Sequence, residues 1–309
     1  MRATSIVAVL GVVVGASVAQ AQPAKDYSKV QIKTTRVAEG VYLLEGDGGN
    51  IGLSVGDDGV VVIDDEFAPL SEKIQAAIKA ITPKPVRFIL NTHWHGDHTG
   101  GNENFANAGA VIIAHENVRK RMSSEQFIGL LNKKVPASPA RALPVVTFES
   151  DITLHLNGED IQVIHVGPAH TDGDSIVVFP KAKVAHLGDC YMTISYPFAD
   201  GDSGGTFDGF ISVADKVLGM TDDGYKLIPG HGALSTKADY KGWHDMLVGV
   251  RAKVKKLADA GKPLDAIQKA KPTAEWDARW GTSFIKPDMI VESAYKAIKA
   301  PKPAAKPAK

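Results

Sequence analysis

Apolar and polar positions follow two different periods along the chain and switch between them several times. Val41 to Leu44, Ile51 to Val55 and Val60 to Ile63 are short apolar runs rich in β-branched residues. Gly46-Asp47-Gly48-Gly49-Asn50 and Gly56-Asp57-Asp58-Gly59 separate them, so they read as an N-terminal meander with hairpin turns. Leu70 to Ile81 changes to helical spacing and stops ahead of Pro83. Val86 to Leu90 and Val111 to Ala114 are strands again, and helical text is expected from about Glu116 to Asn132. Pro136, Pro139 and Pro144 make Val135 to Pro144 a loop. A second set of strands follows at Val145 to Phe148, Ile152 to Leu156, Ile161 to His165, Ser175 to Phe179 and Val184 to Leu187. Helices return near Phe207 to Leu218, Lys237 to Ala260 and Pro287 to Ala300. The order meander–helix–strand–helix, then meander–strand–helix, divides into two similar halves. Two sheets packed face to face with helices outside accommodate it.

The ends of the chain differ from this body. Arg2, the apolar stretch Ile6 to Val14 and the small-residue pattern Ala19-Gln20-Ala21 have the layout of a secretory signal peptide over residues 1–21. Its apolar stretch is too short to span about 30 Å of hydrocarbon, so no stable membrane association is expected after cleavage. The destination read from it is the bacterial periplasm. Pro301 to Lys309 is a Lys/Pro/Ala tail with nothing to bury and is expected to be disordered. Residues 22–300 are then expected to form one domain.

Charge narrows the partner. Lys+Arg and Asp+Glu both number 35, which leaves no basic footprint for a polyphosphate, so the expected partner is a small molecule and not a nucleic acid. The one cysteine, Cys190, excludes an intramolecular disulfide and a cysteine-cage zinc site. Oligomeric state is not legible.

The chemistry concentrates in Asn91-Thr92-His93-Trp94-His95-Gly96-Asp97-His98, directly after the strand ending at Leu90. Four metal-competent side chains within six residues have the spacing of a ligand loop. In extended backbone His93 and His95 face one side. Asp97 and His98 lie beyond Gly96, where a sharp turn would let them face a second ion.

His-X-His-X-Asp-His after a strand resembles the metallo-β-lactamase superfamily, and the other motifs of that family occur in order. They are Val61-Val62-Ile63-Asp64, Gly167-Pro168-Ala169-His170, His186-Leu187-Gly188-Asp189 and Ile228-Pro229-Gly230-His231-Gly232. The resemblance implies an α/β fold, the αββα four-layer sandwich. It implies that His93, His95 and His170 bind one Zn2+, that Asp97, His98 and His231 bind a second, and that Asp189 bridges them. Asp64 would be the carboxylate behind the ligand loop. The implied enzyme uses a hydroxide held by the two zinc ions, oriented by Asp97, to cleave an amide or ester-type bond in a β-lactamase-like reaction. A lactonase, esterase or glyoxalase II-like thioesterase on the same site is the alternative, as is a mononuclear iron dioxygenase of sulfur metabolism. The lysine that some β-lactamases carry after the cysteine is missing from Cys190-Tyr191-Met192-Thr193-Ile194.

Cys190 is expected to be buried and off the metal, because neighbours on a strand point to opposite faces. His115, His155, His165, His186 and His244 lack ligand-spaced partners and read as structural or surface residues. Gly46 to Asn50, Val135 to Pro144 and Ala199 to Gly209 are the candidate substrate loops. Tyr191, Tyr196 and Phe198 could add an apolar wall or belong to the core.

Overall fold

The computed structural model describes residues 25–301. The expected export signal at 1–21 and the tail after Pro301 lie outside the described residues. In chain order the first half comprises β1 (Lys33–Ala38), β2 (Val41–Glu45), β3 (Ile51–Gly56), β4 (Gly59–Ile63), α1 (Ser71–Ile81), β5 (Val86–Asn91), α2 (Gly96–Thr99), α3 (Asn102–Asn107), β6 (Val111–His115), α4 (Glu116–Met122), β7 (Gln126–Ile128), β8 (Lys133–Val135) and β9 (Val146–Phe148). The second half comprises β10 (Asp151–Leu156), β11 (Glu159–His165), β12 (Ser175–Phe179), β13 (Val184–His186), α5 (Phe207–Met220), β14 (Lys226–Ile228), β15 (Ser235–Thr236), α6 (Lys237–Asp259), α7 (Leu264–Lys269), α8 (Ala274–Trp280) and α9 (Pro287–Lys299).

Two sheets organise these elements. One runs β1-β2-β3-β4-β5-β6-β9, antiparallel up to β4 and parallel beyond it. The other runs β10-β11-β12-β13-β14-β15, with the β13–β14 pair parallel. β4 (GVVVI) and β12 (SIVVF) are buried at every position, which is why they read as unbroken apolar runs rather than alternations. Leu43, Val61, Ile63 and Leu90 of the first sheet meet Ile161, Val163, Val177 and Phe179 of the second in one core. The opposite face of the first sheet buries Ile74 and Ile78 of α1 and Phe105 of α3. The opposite face of the second receives α5, α6 and α9. The result is the expected αββα sandwich.

Two sequence expectations change and one open alternative is resolved. The helix expected to reach Asn132 ends at Met122, and Gln126–Val135 folds back as the β7–β8 hairpin. Its turn, Gly129–Leu131, closes on Asn132 at φ 48°, a left-handed position asparagine tolerates and a helix forbids. Val135 to Pro144 carries a 3-10 turn at Ala140–Ala142 instead of standing as an open loop. It packs on α3 and α4, where Asn102 Nδ2 donates to the Ala142 carbonyl and the Arg119 guanidinium to that of Pro144. Tyr191 and Tyr196 are core residues, Tyr191 stacking edge-on with Tyr240 and Trp243 beneath α6. Among the described residues no helix is long and apolar enough to cross a membrane.

Candidate metal centre

The ligand loop begins where β5 stops, beside the ends of β4, β13 and β14. Asp64, at the end of β4, takes φ 60°, a strained conformation that a non-glycine residue keeps only when its surroundings hold it. Its carboxylate is held on three sides. Oδ1 accepts from the Thr92 amide at 2.8 Å, and Oδ2 accepts from Thr92 Oγ1 at 2.7 Å and from His98 Nδ1 at 2.8 Å. Gly96–Thr99 is a single helical turn rather than a sharp glycine bend: φ at Gly96 is not positive, and a Cβ there would meet open space. That turn brings His98 back beneath His93 and leaves Asp97 at the open edge.

Each imidazole of His93, His95 and His170 has one nitrogen committed to the protein. His95 Nε2 donates to Asp200 Oδ2 at 3.0 Å. His170 Nδ1 donates to the Phe198 carbonyl at 2.6 Å. Thr92 Oγ1 gives its own proton to Asp64, so at 3.0 Å it accepts from His93 Nδ1. The nitrogens left over point at one another. His95 Nδ1 and His170 Nε2 lie 2.8 Å apart with neither proton available between them, and buried His93 Nε2 has no partner. Three facing lone pairs in a buried site are repulsive unless a cation sits among them. Second-partner hydrogen bonds of this kind are what fix ligating histidines in the right tautomer.

The second group is Asp97, His98 and His231. His231 Nε2 lies 3.3 Å from Asp97 Oδ2 and 3.3 Å from His98 Nε2. Asp189 stands between the two groups, with Oδ1 3.1 Å from His98 Nε2 and 3.4 Å from His231 Nε2, and Oδ2 3.4 Å from His170 Nε2. In both triads the ligand atoms lie within 4.8 Å of one another. A third triad, Asp64–His93–His98, meets the same distance test. There the Asp64 oxygens and His98 Nδ1 are already hydrogen-bonded, so it supports the first two. The structure thus brings all seven sequence-predicted ligands into one cluster.

Electrostatics agree with this donor set. Burial drives the His93 and His170 pKa values down, that of His170 to about 4, which keeps both rings neutral. Burial also opposes charge on His98 and His231. Asp189 and Asp97 outweigh it, so His98 is lifted well above its usual range and His231 to about 10. Burial alone would raise Asp97 and Asp189, yet these histidines hold both carboxyls below the usual carboxylate range. A field that gathers protons onto imidazoles favours a metal cation in their place. The residues present therefore fit a metal.

Gly188–Cys190 is a 3-10 turn, not a strand. Within it Asp189 turns toward the histidines, while the buried Cys190 Sγ donates to Asp174 Oδ2 at 3.5 Å. Asp174 also accepts from the amides of His170 and Thr171, which fixes the His170 loop. The other histidines stay outside the cluster. His186 Nε2 donates to the Asn50 carbonyl at 3.0 Å, and His115 stacks on His165 with ring centroids 3.8 Å apart.

The loop Gly46–Asn50 crosses His98 closely enough that a Cβ on Gly49 would lie 2.1 Å from its ring. Three anchors hold it. The Gly49 amide donates to the Asp97 carbonyl, Asn50 Nδ2 donates to the Pro229 and Gly232 carbonyls, and Glu66 Oε2 accepts from the amides of Asp47 and Gly48 at 3.1 and 3.2 Å. Glu66, Asp200 and Thr92 are site residues that sequence reasoning missed. Thr92 adjoins the motif, but nothing in the spacing shows that Asp200 meets a histidine 105 positions away.

Fold and site together define a metallohydrolase scaffold. Residues 44–232 match the model of the metallo-beta-lactamase superfamily, and the chain belongs to that superfamily. It is 28% identical over 178 residues to the alpha subunit of 2,4-dinitroanisole O-demethylase from Nocardioides sp. (strain JS1661), covering 57% of this chain and 50% of that one. It is 29% identical over 110 residues to hydroxyacylglutathione hydrolase from Erythrobacter litoralis (strain HTCC2594), covering 35% of this chain and 36% of that one. The chain thus spans half the length of the first of these curated relatives and about a third of the second. Among solved structures, a stereoselective inverting sec-alkylsulfatase from Pseudomonas sp. superposes with TM-score 0.66 at 16% identity, over 86% of this chain and 50% of that one. A metallo-beta-lactamase from Pontibacter korlensis superposes with TM-score 0.58 at 19% identity, over 70% of this chain and 99% of that one. These two structural likenesses speak to the fold alone.

Proposed function

We propose that this chain is an exported dinuclear zinc hydrolase that cleaves an ester-type or amide bond. One observation carries the reading: two complete ligand triads share Asp189, and the second opens to solvent through Asp97 and His231, whose side chains are 31% and 23% exposed. A closed structural site would expose neither. The completeness of the second triad also favours two ions over the single iron of a dioxygenase. His93, His95 and His170 would hold one ion, Asp97, His98 and His231 the other, with Asp189 between them. When bound, zinc supplies Lewis acidity that lowers the pKa of water and polarises a scissile carbonyl.

The chain's own residues have distinct tasks. Asp97 presents Oδ2 at the open edge, where it can orient a water molecule by accepting a hydrogen bond from it. Asp200 and the Phe198 carbonyl keep His95 and His170 aimed inward, and Asp64 does the same for His98. The Gly46–Asn50 loop shields His98 from bulk water.

A β-lactam is one amide within this class, and the periplasm, the proposed location, is where such compounds act. The lysine that some β-lactamases carry after the cysteine is missing from the segment 190–194. Esters and lactones therefore rank ahead of β-lactams.

The test is turnover by the zinc-reconstituted chain of a p-nitrophenyl ester, a γ-lactone, a cephalosporin and a carbapenem, with His95→Ala as control. Hydrolysis of at least one substrate, abolished in the variant, is expected. Equal activity in the variant, or two bound zinc ions with none of the four hydrolysed, would overturn the reading.

A further inference from the structure

Beside the metal centre lies a cavity of about 600 Å³, walled by the tip of the β7–β8 hairpin, the segment 197–207 and the inner face of α9. We propose that this cavity is the subsite for an uncharged apolar group of the substrate, an alkyl chain or an aryl ring, whose scissile bond lies at the metal centre. The inference rests on the hydrolase reading for its reaction, but not for its binding chemistry.

Phe198 connects the cavity to the centre. Its ring stacks on that of His95 with centroids 6.1 Å apart and lies edge-on to His170 at 5.4 Å, while it also lines the cavity wall. Phe284 stands edge-on to Phe198 at 5.8 Å and is 49% exposed, so an apolar surface runs from the ligand histidines outward. A group seated there is one aromatic ring away from His95.

Several of the cavity's polar side chains are already engaged. Asp200 accepts from His95 Nε2 and from the Ser203 amide. Asp202 Oδ2 accepts from the Gly129 amide at 2.7 Å, tying the hairpin tip to the wall. Thr206 Oγ1 donates to the Pro168 carbonyl and accepts from the Gly209 amide, capping α5. Glu292 and Lys296 pair with each other at 2.7 Å. Ser293 also lines the cavity, but the larger part of the cavity's exposed surface is apolar, with Leu130, Phe198, Phe207, Ile285, Met289 and Ala297 on its walls. Three acidic side chains against one lysine also make the wall hostile to an anion.

Leu130 is 43% exposed, and the hairpin carries two further exposed apolar side chains, Phe127 and Leu131. Exposed leucine at a cavity mouth has no structural benefit to the monomer, but it extends the apolar surface a ligand would cover.

The experiment uses the full-length, zinc-loaded chain, the neutral fluorophore N-phenyl-1-naphthylamine, and p-nitrophenyl esters from acetate to octanoate. The fluorophore should bind and be displaced by 1-octanol. Leu130→Asp, at an exposed position, and Ala297→Phe, which fills the cavity, should each weaken its binding by about fivefold or more, with metal content and circular dichroism unchanged. In the unsubstituted chain kcat/KM should rise about twofold or more per added methylene, and the two variants should flatten that slope. A flat ester series from an active enzyme would overturn the subsite and leave the hydrolase reading standing. Fluorophore binding that both variants lose, with no ester, lactone or β-lactam turned over, would keep the subsite and overturn the hydrolase reading. Failure of the fluorophore to bind would also overturn the subsite.

Discussion

Asp200 Oδ2 accepts the Nε2 proton of His95 at 3.0 Å, and that bond leaves His95 Nδ1 as the ring's only free lone pair, pointing at His170. The carboxylate is buried, so its hydrogen bond is shielded from competing water. It acts on the centre entirely through the histidine it holds.

Asp200→Ala should therefore lower zinc affinity by about 10- to 100-fold, the usual effect of losing the partner behind a ligating imidazole. Asp200→Asn, whose amide oxygen can still accept from Nε2, should recover most of it. Competition with a chromophoric chelator measures both. Wild-type affinity in Asp200→Ala would show that packing alone orients His95.

Glu66 plays a comparable part for the loop over His98. Its carboxylate is the acceptor for the Asp47 and Gly48 amides, so Glu66→Gln should speed hydrogen exchange at Gly48 by about tenfold or more. Burial raises the Glu66 pKa against the pull of these amides. A carboxyl whose folded pKa is raised stabilises the fold below its unfolded value, near 4.5, and that contribution is lost as pH rises through the folded value. The stability difference between the native chain and Glu66→Gln should therefore shift in the variant's favour as pH rises from about 4.5. Denaturant melts across that window, alongside exchange rates, test both halves, and a pH-independent difference would contradict the assignment.

Metal removal should weaken the protein without unfolding it. Its three apolar clusters form between sheets and helices and include no ligand side chain. At a free zinc concentration a thousandfold above Kd, binding adds about 4 kcal/mol, which for a chain of this size corresponds to roughly 10 °C in Tm. Chelation should cost about that much while far-UV circular dichroism stays native. An unchanged Tm would mean that the cluster binds no ion tightly.

The sequence carried these features unevenly. Buried strands such as β4 and β12 are unbroken apolar runs, so their positions and the layer order were legible. β14 is only three residues long, and β7–β8 hides in text with helical spacing, where a glycine and a left-handed asparagine decide the outcome. The ligands were legible because four of the seven share one six-residue stretch after β5, and His170, Asp189 and His231 stand in short glycine-containing motifs. Their supporting groups were not. Asp200 and Glu66 act through contacts across 105 and 18 positions, and a carboxylate in a polar loop carries no mark of which partner the fold will bring to it.

Two glycines near the ligands separate conformational need from close approach. Gly49 lies against His98, and a Cβ there would come within 2.1 Å of ring atom Cε1 and 2.4 Å of Nε2, the nitrogen that faces Asp189. The ring is clamped from behind by Asp64 and cannot retreat, so Gly49→Ala must move either the loop or a ligand. Overpacking of this kind costs about 1–3 kcal/mol, and here it falls on the second triad. The expected outcome is one tightly bound zinc instead of two, with His93, His95 and His170 still competent. Gly96 lies inside the ligand motif, but its φ is not positive and a Cβ would touch nothing within 4 Å. Gly96→Ala should therefore keep both ions and gain about 0.4–1 kcal/mol from the reduced freedom of the unfolded chain. Metal content by atomic emission and denaturant melts of the two variants decide the matter. If Gly96→Ala loses metal while Gly49→Ala keeps two ions, then the motif glycine serves the ligand turn and the loop does not press on His98.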